Sequence, residues 1–396
     1  MKIGVWLGSD IVDTEGGAAS YQNRLIRLID NYTFSEGVEV CFLSFFPQRN
    51  LSKEVIRISQ IPYFIYRLIA RGSFLFRAIN KIDRSIMSVR GLKNVLAHTD
   101  VKVVYYISQT FCQDVNFPFI ATNWDIGYKS TQAFPEIINK YYEGRDYFYM
   151  SVLPRSLKIV CESETGKKEL LKYINVGEHK IGVMPMFAGM VSSIQPTQEQ
   201  MRAALEGLGL FHYRYFYYPA QFWAHKNHVG LLQAFEKFKE NDSEGYKLVL
   251  SGSDKGNLSY IREKVRELGI DQDVLFLGFI STEMVSTLYL NATCLVMASH
   301  FGPTNMPPIE AMELGCPVAC SDLGGHREIL GDSAVYFNSY DSESIYKALN
   351  EIVSNRQVYV EKIRLQREKT KFNAAFAMSS LNEILKEVVG IRQNWA

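Results

Sequence analysis

Residues 299–318 read SHFGPTNMPPIEAMELGCPV. The stretch follows the apolar run Cys294–Ala298 and leads into a helical pattern that opens near Pro308. A strand that passes to a helix through a Gly-Pro turn is the repeating unit of a doubly wound sheet. The loop at the strand's carboxyl end is where such sheets hold ligands. The turn Gly302-Pro303-Thr304-Asn305 places backbone N–H groups at a helix N-terminus, a seat for phosphate. Glu310, in the first turn of that helix, cannot itself bind phosphate. It is placed to accept hydrogen bonds from sugar or ribose hydroxyls. The plain alternative for this stretch is a helix cap behind a Gly-Pro turn.

The same punctuation recurs on both sides. Tyr215–Pro219, Lys247–Ser251, Val274–Leu277, Cys294–Ala298, Pro317–Cys320 and Val335–Phe337 read as six strands. Helical periodicity falls at about 228–240, 258–268, 282–291, 308–315 and 343–354. In the first half Lys2–Leu7, Val38–Ser44, Val101–Ile107, Phe119–Thr122 and Leu157–Cys161 are short β-branched and aromatic runs. Almost continuous apolar strands alternating with helices predict parallel sheets covered on both faces. Two such units make the chain α/β, with two doubly wound, Rossmann-like domains. We place them at 1–190 and 195–357, with a helical tail at 358–396 that has no strand and packs back on the first domain.

Bulk composition agrees. The 396 residues are 47% hydrophobic and 21% charged, an ordinary globular mixture long enough for two cores. Lys plus Arg numbers 43 against 42 for Asp plus Glu. Bulk binding to nucleic acid is therefore excluded and any electrostatic recognition is local. The cysteines at 41, 112, 161, 294, 316 and 320 show no paired spacing for zinc or disulfides and read as small buried hydrophobes in a reducing compartment. The opening MKIGVWLGSD is a strand and a polar turn, not a signal peptide, and no run approaches the ~20 apolar residues of a membrane span. These features predict a cytoplasmic protein.

Segment 50–95 is the outlier. Nine Lys and Arg residues face only Glu54 and Asp83 and are interleaved with aromatic and aliphatic side chains. Two readings stay open: a basic amphipathic surface for an anionic membrane or acceptor, or an ordinary surface helix with a buried aromatic side. The charge excess favours the first, which would hold the protein on the inner face of the membrane.

Three further loops follow strands. PAQFWAHKNH, 219–228, occupies the phosphate-loop position but lacks the glycine fingerprint of nicotinamide binding; it offers Lys226, a compact cation suited to a diphosphate. His225 and His228 have no evident third ligand for a metal, and the alternative for His228 is a cap on the helix that follows. SDLGGHRE, 321–328, has paired glycines that permit close backbone approach. Gly16 and Gly17 follow the first strand and open a helix among small residues. Asp271-Gln272-Asp273 spells a metal-binding pattern but precedes a strand, where a turn is the natural reading. No metal is expected, nor any cofactor.

At this point the second half resembles the retaining glycosyltransferases of family 4, which have the GT-B fold of two Rossmann-like domains facing a central cleft. QFWAHKNH, LSGSD, VLFLGFIS, FGPTNMPPIEAM and SDLGGHRE occur in that family's order. The match is strong over about 215–340. In the first half it is loose, through Gly16-Gly17 and Trp124–Gly127 followed by Phe134-Pro135-Glu136. The chain is similar to the O-antigen and mannosyltransferase-like members. The resemblance implies transfer of a hexose, mannose or similar, from a GDP- or UDP-linked donor to a glycan or lipid-linked acceptor, as in lipopolysaccharide synthesis. The nucleotide sugar is a co-substrate. Glu310 corresponds to the glutamate on the ribose hydroxyls, and Lys226 to the lysine on the donor diphosphate. By the same resemblance Thr304, Asn305 and Met306 would line the sugar and phosphates, Gly16 and Gly17 would face the same phosphates, and Phe279 and Ile280 would lie beside the base. Gly302 stands where the family often has glutamate and Gln221 where it often has arginine; Asn305 is the candidate substitute. The first-domain histidine of relatives is replaced near Asn123, Trp124 and Tyr128, leaving Asp125 as the polar candidate. The catalytic set expected is Lys226, Asn305 and Asp125. A nucleotide-sugar epimerase of the same architecture and a non-catalytic sugar-nucleotide-binding protein are the alternatives.

Overall fold

The computed structural model describes residues 1–7, 16–45, 50–59, 91–109, 116–131, 133–134 and 142–394. Two compact units emerge. The first comprises Met1–Trp124, Glu143–Pro185 and Ala374–Ala396, the second Asp125–Tyr142 and Met186–Asn373.

In the first unit the elements are β1 (Lys2–Trp6), α1 (Gly16–Asn31), β2 (Glu39–Ser44), β3 (Val55–Arg57), β4 (Val101–Tyr106), β5 (Phe119–Asn123), β6 (Lys158–Cys161), α2 (Glu164–Tyr173) and β7 (Ile181–Val183). Its seven strands are parallel in the order β3-β2-β1-β4-β5-β6-β7. The second unit runs α3 (Gln198–Gly207), β8 (Tyr215–Pro219), α4 (His228–Lys239), β9 (Lys247–Ser251), α5 (Leu258–Glu267), β10 (Val274–Phe276), α6 (Thr282–Asn291), β11 (Cys294–Met297), α7 (Met306–Leu314), β12 (Val318–Ser321), α8 (Gly324–Leu330), β13 (Ala334–Phe337), α9 (Ser342–Ser354) and α10 (Arg356–Lys369). Six parallel strands lie in the order β10-β9-β8-β11-β12-β13. In each sheet the order reverses beside the first strand, between β1 and β4 and between β8 and β11. Those are the switch points where doubly wound sheets open a crevice. The α/β class with two Rossmann-like units is thus the observed one.

Strand β8 shows why the pattern reads as it does. Tyr215, Phe216, Tyr217 and Tyr218 are all buried, because helices cover both faces and no alternation is needed. Phe216 stacks on Tyr246 at 5.1 Å, and Tyr217 meets Tyr289 edge-on at 5.2 Å. Burying three phenols is tolerable only if each hydroxyl is bonded. Tyr215 donates to the Leu288 carbonyl at 2.9 Å, Tyr217 shares a bond with Ser251 at 2.8 Å, and Tyr218 donates to the Lys226 carbonyl at 2.7 Å.

The structure also departs from the sequence reading. Strands β3 and β7 are additional. α7 begins at Met306, two residues before Pro308, so Glu310 lies in the second turn, not the first. Prolines 307 and 308 sit where the first helical N–H groups have no partner to lose. Asn227, not His228, caps α4: its side chain accepts the Gly230 N–H at 3.2 Å from a left-handed backbone with φ 54°. Asp271–Asp273 is a turn, and Asp273 pairs with Lys247 at 2.8 Å. The five described cysteines are unpaired and buried.

Within the basic segment 50–95, Val55–Arg57 is strand β3. Lys53 donates to the Tyr32 carbonyl at 3.0 Å and Arg57 to that of Phe45 at 3.3 Å. Residues 60–90, with the remaining aromatic and basic run up to Arg90, lie outside the described residues. Among the described residues no helix is long and apolar enough to cross a membrane. After α10, whose Arg356 bonds the Thr293 and Ala292 carbonyls at 3.2 Å, helix α11 (Ala374–Gln393) belongs to the first unit. It buries Ala377, Met378, Leu381, Ile384, Leu385 and Val388 there. Its Asn382 bonds Ser35 through the backbone N–H at 2.9 Å and the hydroxyl at 2.7 Å, and its Glu387 pairs with the buried Lys158.

Candidate functional site

The loops at the carboxyl ends of the second sheet are laced into one rim. Gly252 after β9 donates to the Gly278 carbonyl after β10 at 2.8 Å, and Phe222 after β8 donates to the Ser253 carbonyl at 3.1 Å. A side chain at Gly252 would place its Cβ 2.3 Å from the Ala220 carbonyl oxygen, so only glycine allows this approach. On the other side of β8, His300 after β11 donates its N–H to the His225 carbonyl at 2.9 Å. The Ser321 hydroxyl, at the end of β12, donates to the Ser299 carbonyl at 2.7 Å.

Three side chains meet where these loops converge. The Lys226 Nζ donates to Asn305 Oδ1 at 3.0 Å. Asn305 Nδ2 lies 3.0 Å from His326 Nε2, and His326 Nδ1 lies 2.7 Å from the Ser321 carbonyl oxygen. A carbonyl only accepts, so Nδ1 carries the proton and Nε2 accepts from the Asn305 amide. That leaves Oδ1 facing the ammonium. His326 is buried, and burial together with the Lys226 charge pushes its pKa down to about 4 despite the Ser321 bond. It is neutral at physiological pH, as this arrangement requires.

Gly302 holds φ 130°, and a Cβ there would come within 2.7 Å of Asn305 Nδ2. A glutamate at this position would be strained and would displace Asn305. Gly325, in the first turn of α8, would bring a Cβ 1.4 Å from the Pro303 carbonyl oxygen. The turn before α7 therefore rests directly on the α8 backbone.

Glu310 is buried in α7, and its Oε2 accepts from the Tyr289 hydroxyl at 3.1 Å. Burial raises its pKa to about 7, with the Tyr289 bond working the other way. Around the rim, Thr304 and Met306 are half-buried, Phe279 is 56% exposed and Ile280 is partly exposed. Gln221 is half-buried and its Oε1 accepts from Trp223 Nε1 at 2.9 Å.

The other expected residues have different surroundings. Gly16 and Gly17 open α1 in the first unit, and residues 8–15 before them lie outside the described residues. Asp125 belongs to the second unit, where its Oδ1 closes a turn by accepting the Gly127 N–H at 2.9 Å. His225 and His228 do not form a pair: His228 is buried against Tyr218 and Phe222 at 4.9 Å, and burial lowers its pKa to about 3. No cluster of three His, Cys, Asp or Glu side chains suited to a metal occurs among the described residues.

Sequence reasoning missed three groups. His326 sits inside SDLGGHRE, but nothing in the motif reveals its tautomer. Tyr289 is one apolar-face residue of α6. The third is a stack beside Lys226: His300 lies 4.4 Å from Tyr340 and 5.5 Å from Phe134, and His225 lies 4.5 Å from Phe301.

The doubly wound second unit thus sets a cation, the N-terminus of α7 and a buried carboxylate beside its switch point. Residues 211–371 match the family model described as glycosyl transferases group 1. The chain is 27% identical over 209 residues to the O-antigen chain mannosyltransferase RfbU of Salmonella typhimurium, covering 52% of this chain and 54% of that one. It thus spans about half the length of this curated relative. Among solved structures it is similar to the sucrose-phosphate synthase of Thermosynechococcus elongatus, with TM-score 0.72, 18% identity and coverage of 98% and 99% of the two chains. It is likewise similar to Anabaena HepE, solved in complex with UDP and glucose, with TM-score 0.69, 15% identity and coverage of 98% and 99%. At such identity these two likenesses establish the GT-B fold alone.

Proposed function

We propose that the protein is a retaining glycosyltransferase. It moves a hexose, mannose or a close relative, from a nucleoside-diphosphate sugar to a hydroxyl of a glycan or lipid-linked glycan in cell-surface polysaccharide synthesis. The observation that carries this reading is the meeting of Lys226 and Asn305 at the N-terminus of α7, with Glu310 buried one turn further on. A cation beside the backbone N–H groups of Gly302, Thr304, Asn305 and Met306 suits a diphosphate, and a buried carboxylate suits a vicinal diol. The mannosyltransferase named among the relatives supports the sugar, and the UDP held by HepE supports the nucleotide class.

In this reading the glycosidic bond to phosphate lengthens through an oxocarbenium-like state, and negative charge grows on the leaving diphosphate. Lys226 and the backbone N–H groups of Gly302, Thr304 and Asn305 stabilise that charge, a contribution of about 3–4 kcal/mol per well-placed donor. Glu310 fixes the ribose, and Phe279 and Ile280 flank the base. Charge neutralisation assigned to Lys226 needs no metal, so transfer persists in EDTA. The test is a radiolabelled transfer assay with GDP-mannose and related donors. Lys226→Ala and Glu310→Ala each abolish transfer while circular dichroism stays native; full activity in either folded variant refutes the assignment. A membrane role for segment 50–95 is tested by flotation with anionic liposomes, where absence of binding at low salt removes it.

A further inference from the structure

We infer that His326 is a positioning residue for the diphosphate site: as the Nδ1–H tautomer it locks the Asn305 amide so that its oxygen, not its nitrogen, faces the Lys226 ammonium. This rests on the proposed nucleotide-sugar reading and adds to it a residue that touches no substrate. The argument is one of donors and acceptors along a single line. The Ser321 carbonyl has no proton to give, so the proton on that side belongs to His326 Nδ1. Nε2 is then an acceptor and takes the Asn305 Nδ2 proton at 3.0 Å. With Nδ2 committed, Oδ1 is the atom left for Lys226 Nζ at 3.0 Å. An amide turned the other way would set two donors against each other at Lys226 and two acceptors against each other at His326.

The surroundings hold the line in place. The Ser321 hydroxyl is tied to the Ser299 carbonyl at 2.7 Å, which fixes the end of β12 against the loop after β11. Gly325 lets α8 sit against Pro303 with no side chain between. The groups facing the imidazole are thus Ser321, Asn305 and, beyond the amide, Lys226. Its nearest carboxylate on the same segment, Asp322, is paired with Arg327. Lysine side chains have several rotamers. Holding Nζ from behind by a neutral oxygen orients it without cancelling its charge, as an aspartate in place of Asn305 would.

Two substitutions separate this role from packing. His326→Asn keeps a donor for Ser321 but is too short to reach Asn305. His326→Gln reaches Asn305 with an acceptor oxygen. Calorimetry with GDP and UDP, each set against its nucleoside, measures the gain in affinity due to the diphosphate. His326→Asn lowers that gain roughly tenfold with nucleoside affinity unchanged, and His326→Gln restores it to within about threefold. Equal gains in His326→Asn and the parent protein, or equal losses in both variants, overturn the proposal. If Lys226→Ala leaves the gain intact, the diphosphate site itself is misassigned and both readings fall. Independently of any nucleotide, ¹⁵N-histidine spectra of the ligand-free protein, assigned by loss of one signal in His326→Gln, show the Nδ1–H tautomer. The Nε2–H tautomer overturns the inference.

Discussion

Replacing Glu310 by glutamine makes the protein more stable and less able to bind. Burial lifts this carboxyl from its ordinary 4.5 to about 7. Each tenfold change in a proton-binding constant is worth ~1.4 kcal/mol, so ionising Glu310 inside the folded unit costs about 3 kcal/mol more than in the unfolded chain. Below pH 4.5 the group is protonated in both states and carries no penalty. As pH rises toward 7 the unfolded chain releases its proton first, and stability falls through that window and then levels off. Glu310→Gln keeps the shape and an oxygen for the Tyr289 hydroxyl but has no proton to lose. Urea unfolding of the ligand-free proteins should show the variant gaining about 3 kcal/mol over the parent between pH 4.5 and pH 8. Above about pH 7, where Glu310 is ionised, the variant binds uridine or guanosine more weakly than the parent, because a charged oxygen is the stronger acceptor for ribose hydroxyls. Nucleosides serve here because a phosphate would titrate in the same window. A stability difference independent of pH refutes the burial argument.

Other outcomes follow from the same geometry. Tyr289→Phe removes a bond that favours the charged carboxylate, so the pH at which nucleoside affinity reaches half its maximum moves upward from about 7, as binding titrations will report. Gly325→Ala forces a Cβ to within 1.4 Å of the Pro303 oxygen and yields insoluble protein or a loss above ~4 kcal/mol, read by expression and thermal unfolding. Asn382→Ala strips two bonds to Ser35 and lowers stability by about 1–3 kcal/mol, without altering nucleotide binding by the second unit.

The strands of the second sheet were legible because β8 and β11 are unbroken apolar runs and β9 carries Leu248, Val249 and Leu250 between two polar ends. β3 and β7 were not, because each has three residues at a sheet edge, all half-buried in β3 and with only Ile181 buried in β7. Helix α3 was not among the expected helices, although Thr197 and Gln200 form a reciprocal cap. At the site, Lys226, Asn305 and Glu310 stand out as polar residues in loops or helix starts behind strands. What joins them does not, because Tyr289 and His326 each lie 21 positions from the partner they bond. Periodicity carries no information about a hydroxyl or an imidazole reaching across from a neighbouring helix. Gly302 reads in sequence as a missing carboxylate; its φ of 130° and its closeness to Asn305 make it the space that Asn305 needs.

Helix α11 has a consequence for how the molecule is made. The first unit takes its last buried layer from Ala374–Ala396, yet the preceding part ends at Pro185. At the ribosome's pace of about 5–20 residues per second, the roughly 190 residues in between keep that unit waiting on the order of 10–40 s with the face that receives Leu381, Leu385 and Val388 uncovered. The unit that begins second is then the one whose sequence is finished first, and a nascent chain stalled at Asn373 would carry a complete second unit beside an open first one.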